Sequence, residues 1–217
     1  MTGTAPTWVT LGDQRIPVAP GQNILDALEG AGVAPPASCR SGTCQTCAMR
    51  CVDGAVPAPA RHGLGPGLLA QGAFLPCICT PDNNLTVEFL DTDSTALSAT
   101  LHSRERRGDT LLLGIHVPGL QCVGGQFIHL LRDDGLRRPY SVAGVVNDVV
   151  ELHVTVMPGG AMSTWLDTAP VGSTLKVLGP AGECVYMPGE LDRPLILAGL
   201  GTGLAPILGV LRDALAA

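Results

Sequence analysis

At 217 residues, 46% hydrophobic and 15% charged, the chain can bury one large core or two small ones, which excludes global disorder. Its net charge is −6 and no cationic run exceeds the pairs Arg106-Arg107 and Arg137-Arg138, which argues against a nucleic-acid groove. The 28 glycines and 18 prolines beside only 3% aromatics point to turns and short strands rather than a helical bundle.

Residues 1–10 have no cationic start followed by an apolar run, so a cytoplasmic location without a leader is expected. Residues 8–11 and 15–18 read as short strands. Residues 23–29 read as a helix, with Ile24, Leu25 and Leu28 on one face. A cysteine-rich loop spans residues 35–51. Residues 84–90 alternate Leu85, Val87 and Phe89 with Thr86 and Glu88 in strand fashion, and the polar residues 91–95 form a linker. From 96 to 189, strand candidates separated by turn residues predict an antiparallel barrel or sandwich. The clearest is 150–156, where Val150, Leu152, Val154 and Val156 oppose Glu151, His153 and Thr155. Residues 195–198 suit a buried parallel strand, followed by a glycine turn and a helix with Pro206 in its first turn, the opening of an α/β unit. Residues 194–211 carry no charge, but their glycines and Pro206 argue against a membrane span.

Eight cysteines without an export signal suit metal ligands or free thiols better than a disulfide framework. Four residues separate Cys39 from Cys44, two separate Cys44 from Cys47, and Cys77 and Cys79 lie further on, the C-x4-C-x2-C…C spacing of a [2Fe-2S] site. Two ferric ions bridged by sulfide require four soft anionic ligands, and the small residues Ser38, Ser41, Gly42 and Thr43 let backbone amides reach the sulfurs. Zinc would want two tight cysteine pairs, and Cys77-x-Cys79 is a poor one. A [4Fe-4S] run would need a closing Cys-Pro, where Val52 follows Cys51. Cys51, Cys122 and Cys184 read as small buried hydrophobes. The loop from Ser38 to Cys47 resembles that of plant-type ferredoxins, a β-grasp fold, over roughly the first ninety residues. That family places a proline four residues after its fourth ligand. Cys77 with Pro81 fits, so the resemblance implies Cys39, Cys44, Cys47 and Cys77 as the ligands.

Further on, Arg138-Pro139-Tyr140-Ser141 follows Gly125-Gln126-Phe127 and precedes Gly160-Ala161-Met162-Ser163 and the turn Gly201-Thr202-Gly203. Singly, each has an ordinary structural explanation. In this order they resemble the ferredoxin reductase family, whose flavin-binding barrel precedes a nicotinamide-binding domain. The resemblance implies Arg138 at the flavin phosphates, Tyr140 stacked on the ring and Ser141 near its reactive nitrogen. It implies Gly160, Met162 and Ser163 at the pyrophosphate, and Gly201, Thr202 and Gly203 at the nicotinamide. Pro206 stands where a Rossmann fingerprint would carry its third glycine, so that fingerprint is not met.

The expected architecture is α+β: a β-grasp ferredoxin domain (1–93), an antiparallel flavin-binding β-barrel (94–190), and an incomplete α/β nucleotide-binding domain (191–217). A complete nucleotide domain needs several βαβ units, so the chain reads as a C-terminally truncated member. The resemblance is to electron-transfer components of oxygenases and to deoxysugar reductases such as CDP-6-deoxy-glucoseen reductase. It implies electrons passing from NAD(P)H through FAD to the [2Fe-2S] cluster and on to an acceptor protein such as an oxygenase component. The alternative is a cluster-only electron carrier or interaction module. Arg40 and Arg50 flank the cluster loop and suggest an acidic docking face on the acceptor.

Overall fold

The computed structural model describes residues 7–92, 94–188 and 194–217. Asp93, Glu190 and Leu191, where the sequence suggested domain boundaries, lie outside the described residues. The chain forms two compact units, residues 1–91 and 92–217.

The first unit begins with β1 (Thr7–Leu11) and β2 (Gln14–Val18), an antiparallel hairpin. Helix α1 (Ile24–Gly30) follows because Asn23 caps it: its side-chain oxygen accepts the Asp26 amide at 2.8 Å. Ile24, Ala27 and Leu28 are buried from this helix and pack with Val9, Phe74 and Val87. β3 (Met49–Asp53), α2 (Pro66–Ala70), β4 (Ala73–Phe74) and β5 (Leu85–Phe89) complete the unit. The sheet order is β2-β1-β5-β3-β4, with β1 and β5 parallel. A second small core joins Leu25, Leu64 and Leu75 to Cys47 and Cys77, beneath the cysteine loop.

The second unit is a closed six-stranded antiparallel barrel in the order β10-β7-β6-β11-β8-β9. Its strands are β6 (Leu97–Arg107), β7 (Thr110–His116), β8 (Phe127–Leu131), β9 (Arg137–Val146), β10 (Val149–Thr155) and β11 (Thr174–Ala181). Asn147 and Asp148, both at positive φ, make the two-residue turn that matches the twist of β9 and β10. Val150, Leu152 and Val154 point into the core as the alternation predicted. Between β10 and β11, α3 (Ala161–Thr168) adds Met162 and Leu166 to the same core.

α4 (Leu204–Ala216) packs on the barrel at β9. Arg212 Nη1 donates to the Ala143 carbonyl at 2.9 Å and pairs with Glu151 at 2.8 Å, while Asp213 accepts the Gly124 amide at 3.0 Å. The strand expected at 195–198 does not form. Leu195 is 52% and Ile196 89% exposed. A parallel strand holds only between hydrogen-bonded neighbours, and no strand among the described residues pairs with this segment. No helix of the described residues is long and apolar enough to cross a membrane.

The Arg212–Glu151 contact has a pH signature. Partial burial works against the Glu151 carboxylate, but hydrogen bonds and charge from Arg212 and His153 outweigh it and hold its carboxyl below the ordinary 4.5. A depressed carboxyl stabilises above its unfolded pKa and stops doing so as pH falls through the folded value. The α4 contact is therefore intact at neutral pH and weakens below about pH 4.5. Hydrogen exchange of the α4 amides, corrected for the intrinsic pH dependence, should show the loss of protection, and Glu151→Gln should remove that acid step.

Candidate functional site

Both cysteine-bearing segments are tied to α1. The Ile24 amide donates to the Cys79 carbonyl at 2.9 Å, and Arg40, at φ +56, reaches back to Glu29 at 2.6 Å and Asp26 at 3.2 Å. Gly42 sits at φ +81, a backbone angle that demands glycine, and a Cβ there would lie 2.5 Å from Ile78 Cδ1, which would have to swing aside. Within the loop, Cys39 Sγ accepts the amides of Ser41 and Cys44, each at 3.4 Å, and the Cys39 amide points to Cys44 Sγ at 3.5 Å. Thr46 Oγ1 stands 3.2 Å from Cys44 Sγ. Cys47 and Cys77, thirty residues apart in sequence, bring their sulfurs to 3.2 Å.

Among the described residues no three His, Cys, Asp or Glu side chains converge on one point suited to a single ion. The thiols instead fall into two pairs, Cys39 with Cys44 and Cys47 with Cys77. That donor set fits a two-iron cluster, in which each iron takes two thiolates. Burial opposes ionisation of Cys39, but hydrogen bonds from Ser41 and Cys44 bring its thiol down to about 6. Burial and the adjoining Cys77 push the Cys47 thiol up to about 12, so Cys47 ionises readily only against a cation. Cys79 lies elsewhere, fully buried in the β-sheet core with its thiol pushed up to about 12 by burial.

The structure removes the basis for a cationic rim. Arg40 is paired with Asp26 and Glu29, and Arg50 with Glu88 at 2.9 Å, so both charges are matched within the unit. Arg40→Glu is expected to place three like charges together at the loop and to lower the iron bound per chain on reconstitution, which a colorimetric iron assay measures.

In the barrel, Arg138 and Tyr140 face one side of β9 and Ser141 the other; they lie opposite Leu130, Ile128 and Phe127 of β8. Arg138 Nη1 donates to the Arg137 carbonyl at 2.8 Å, leaving donors for a phosphate. Tyr140 is half-buried against the barrel core, and burial raises its hydroxyl to about 12 against the opposing charge of Arg138. Gly160 precedes α3 and no side chain caps the helix, so its first-turn amides suit an anion. Ser163 Oγ accepts the Met157 amide at 3.0 Å and donates to the Gly160 carbonyl at 3.2 Å. Its proton is thus spent on closing the turn. The Met162 side chain is buried in the barrel core, so only its backbone faces this role. Arg132, just past β8, donates to the Ala161 carbonyl at 3.3 Å and so brings the end of the β8–β9 hairpin to the start of α3. These groups fit a flavin phosphate chain along β9 and onto α3.

Gly201–Gly203 forms a single 3₁₀ turn leading into α4. Gly201 and Thr202 line a cavity of about 430 Å³ together with Thr110, His153, Leu204 and Ile207. Arg138, Tyr140 and Ser141 are not among its lining residues. Read from the sequence, His153 is an ordinary packed or solvated histidine. In the fold its Nε2 lies 2.8 Å from Glu151 Oε1, the carboxylate that also holds Arg212. No local pattern announces that chain, because His153 and Arg212 meet only when α4 docks.

Residues 9–82 match the 2Fe-2S iron-sulfur cluster binding domain, and residues 102–186 match the oxidoreductase FAD-binding domain. The chain is 34% identical over 232 residues to the reductase subunit of an aromatic O-demethylase from Amycolatopsis sp., covering 96% of this chain and 67% of that protein. It is 34% identical over 213 residues to reductase component 1 of a terephthalate 1,2-dioxygenase from Comamonas sp., covering 93% and 63%. The Amycolatopsis cytochrome P450 reductase GcoB superposes with a TM-score of 0.55 at 32% identity, over 97% of this chain and 68% of that one. The chain thus spans about two thirds of the length of the relatives it matches.

Proposed function

The chain belongs to the reductase components of oxygenase systems, a [2Fe-2S] domain followed by an FAD-binding domain, and we propose that it passes electrons from NAD(P)H through FAD to the cluster and on to an acceptor protein. When bound, a flavin takes a hydride and releases electrons singly, and a [2Fe-2S] cluster carries them one at a time. The chain's residues do the rest. Cys39, Cys44, Cys47 and Cys77 hold the two irons, and the Ser41 and Cys44 amides aimed at Cys39 Sγ stabilise added negative charge there, raising the potential. Arg138 and the first-turn amides of α3 at Met162 and Ser163, with Gly160 at the N-cap leading into them, hold the flavin phosphates, Tyr140 covers the ring, and Ser141 offers its hydroxyl at the reactive edge. Gly201, Thr202 and Gly203 let the nicotinamide approach the backbone. Residues 1–93 serve as the cluster domain, 94–190 as the flavin barrel and 191–217 as part of the nicotinamide site. The acceptor is an oxygenase component or a protein of similar role.

The observation that carries this reading is the Cys47–Cys77 approach of 3.2 Å, a sulfur pair assembled by the fold from distant segments beside the Cys39–Cys44 pair. A second reading, a cluster carrier without NAD(P)H reductase activity, is favoured by the exposure of Leu195, Ile196 and Leu200 ahead of the glycine turn, behind which no strand lies among the described residues. Reconstitution with iron, sulfide and FAD, followed by anaerobic addition of NADH or NADPH, separates the two. Bleaching of flavin and cluster together supports the reductase. Cluster loading without bleaching supports the carrier, and failure to bind iron sinks both.

A further inference from the structure

Arg132 holds a position that neither the motif residues nor the domain matches assign. Its Nη1 donates to Ala161 at the first turn of α3, its Nη2 pairs with Asp134 at 2.7 Å, and its guanidinium lies 5.7 Å from the Trp165 ring centroid. Asp134 also accepts the Leu136 amide at 3.2 Å, so the carboxylate that orients Arg132 is itself fixed to the hairpin turn. Strand alternation places Arg132 on the same side of the hairpin as Arg138 and Tyr140, since Leu130 lies opposite Arg138 and the Arg132 amide bonds Leu136.

β9 then works as a ruler. From Ser141 to Arg138 is about 10 Å at a strand's rise, and Leu136, the partner of Arg132, is about 7 Å further on. On the reading above, Ser141 marks the flavin ring and Arg138 the phosphates, so the direction from ring to phosphate runs toward the hairpin end. A flavin mononucleotide stops at its single phosphate. A dinucleotide continues, and the next cationic group it meets is Arg132, backed by Trp165. Two of that guanidinium's five donors serve Ala161 and Asp134, leaving others for a phosphate oxygen or an adenine nitrogen.

We propose that Arg132, seated against Trp165 at the start of α3, contacts the adenylate half of a dinucleotide flavin and sets the preference for FAD over FMN. The assignment rests on the flavin reading of the barrel. Its test is titration of the full chain with FAD and with FMN, following quenching of flavin fluorescence, in the unchanged protein and in Arg132→Ala, Arg132→Lys and Asp134→Asn. Arg132→Ala is expected to weaken FAD binding roughly tenfold, the loss of one charge-assisted contact, and to leave FMN within about twofold. Arg132→Lys, keeping the charge without the fork, falls between. Asp134→Asn removes the carboxylate that orients Arg132 and is expected to weaken FAD less than Arg132→Ala does, with FMN unchanged. Equal weakening of both flavins in both Arg132 variants, as a structural role would produce, overturns the assignment, as does no change in either. If the unchanged chain binds neither flavin, the flavin reading itself falls and takes this assignment with it. If it binds both and only the ratio fails to move, that reading stands and the role of Arg132 alone is lost.

Discussion

Cys77→Ser is expected to leave the chain unable to hold its cluster: iron should fall from about two per chain to near zero on reconstitution, with loss of the visible charge-transfer bands. Serine is a harder, less acidic ligand, and the neighbouring Cys47 would keep a buried thiol already pushed up to about 12. Cys79→Ser, only two residues away, should behave oppositely. Cys79 is fully buried in the β-sheet core beside Phe74 and Met49, so the substitution puts a hydroxyl among apolar atoms, at a cost of about 1–3 kcal/mol. Iron content should survive and thermal stability should fall. If Cys79→Ser loses iron while Cys77→Ser keeps it, the ligand set is wrong. The contrast separates a ligand from a core residue because metal binding here also contributes folding free energy: the Cys77 variant should lose the stabilisation that added iron and sulfide give the unchanged chain.

Those two cysteines also mark how far local sequence reaches. The spacing of Cys39, Cys44 and Cys47 is local, and so is the requirement for small residues between them, which Gly42 meets through its positive φ. Choosing Cys77 over Cys79 needed a family pattern, because strand and loop alternation around residue 78 leaves both available. α1 was readable because Asn23 and the Ile24, Leu25, Leu28 face are encoded within seven residues. β10 was readable because its alternation is uninterrupted. The segment 195–198 misled for a physical reason: its composition suits a strand buried on both faces, and composition says nothing about whether neighbouring strands are present to pair with it. Arg40 misled differently. As a lone arginine in a cysteine loop it suggests a docking charge, yet its partners Asp26 and Glu29 lie fourteen and eleven residues earlier, on a helix whose facing side only the fold reveals. The same limit hid Arg132 and Arg212, whose partners Ala161, Glu151 and Ala143 lie 29, 61 and 69 positions away, and with them the setting of His153, whose β10 neighbour Glu151 meets Arg212 only in the fold.

Gly209→Val should release α4 from the barrel while leaving the barrel folded. A Cβ at Gly209 would lie 2.6 Å from Gly124 Cα and from the Gly125 amide nitrogen, and 2.7 Å from the Val142 carbonyl oxygen, all backbone atoms that cannot swing aside. Overpacking of this kind costs about 1–3 kcal/mol, to which a β-branched residue adds steric demand. Alanine at the same position is the sharper case. In an isolated helix it is favoured over glycine by about 1 kcal/mol, so a net loss of docking would show that close approach to Gly124 outweighs propensity. Gly203→Ala supplies the control: its φ is −62 and a Cβ there meets nothing within 4 Å, so docking should be unchanged. Hydrogen exchange reads the result directly. Amides of α4 should lose protection in both Gly209 variants, more in valine than in alanine, with barrel amides of β7 and β10 unchanged. If protection across the barrel falls in step with α4, the helix is integral to the barrel's cooperativity rather than a docked element. In the docked case, the contacts made by Arg212 and Asp213 fasten the glycine turn at Gly201–Gly203 to the flavin barrel, and a single close contact between two glycines decides whether they can form.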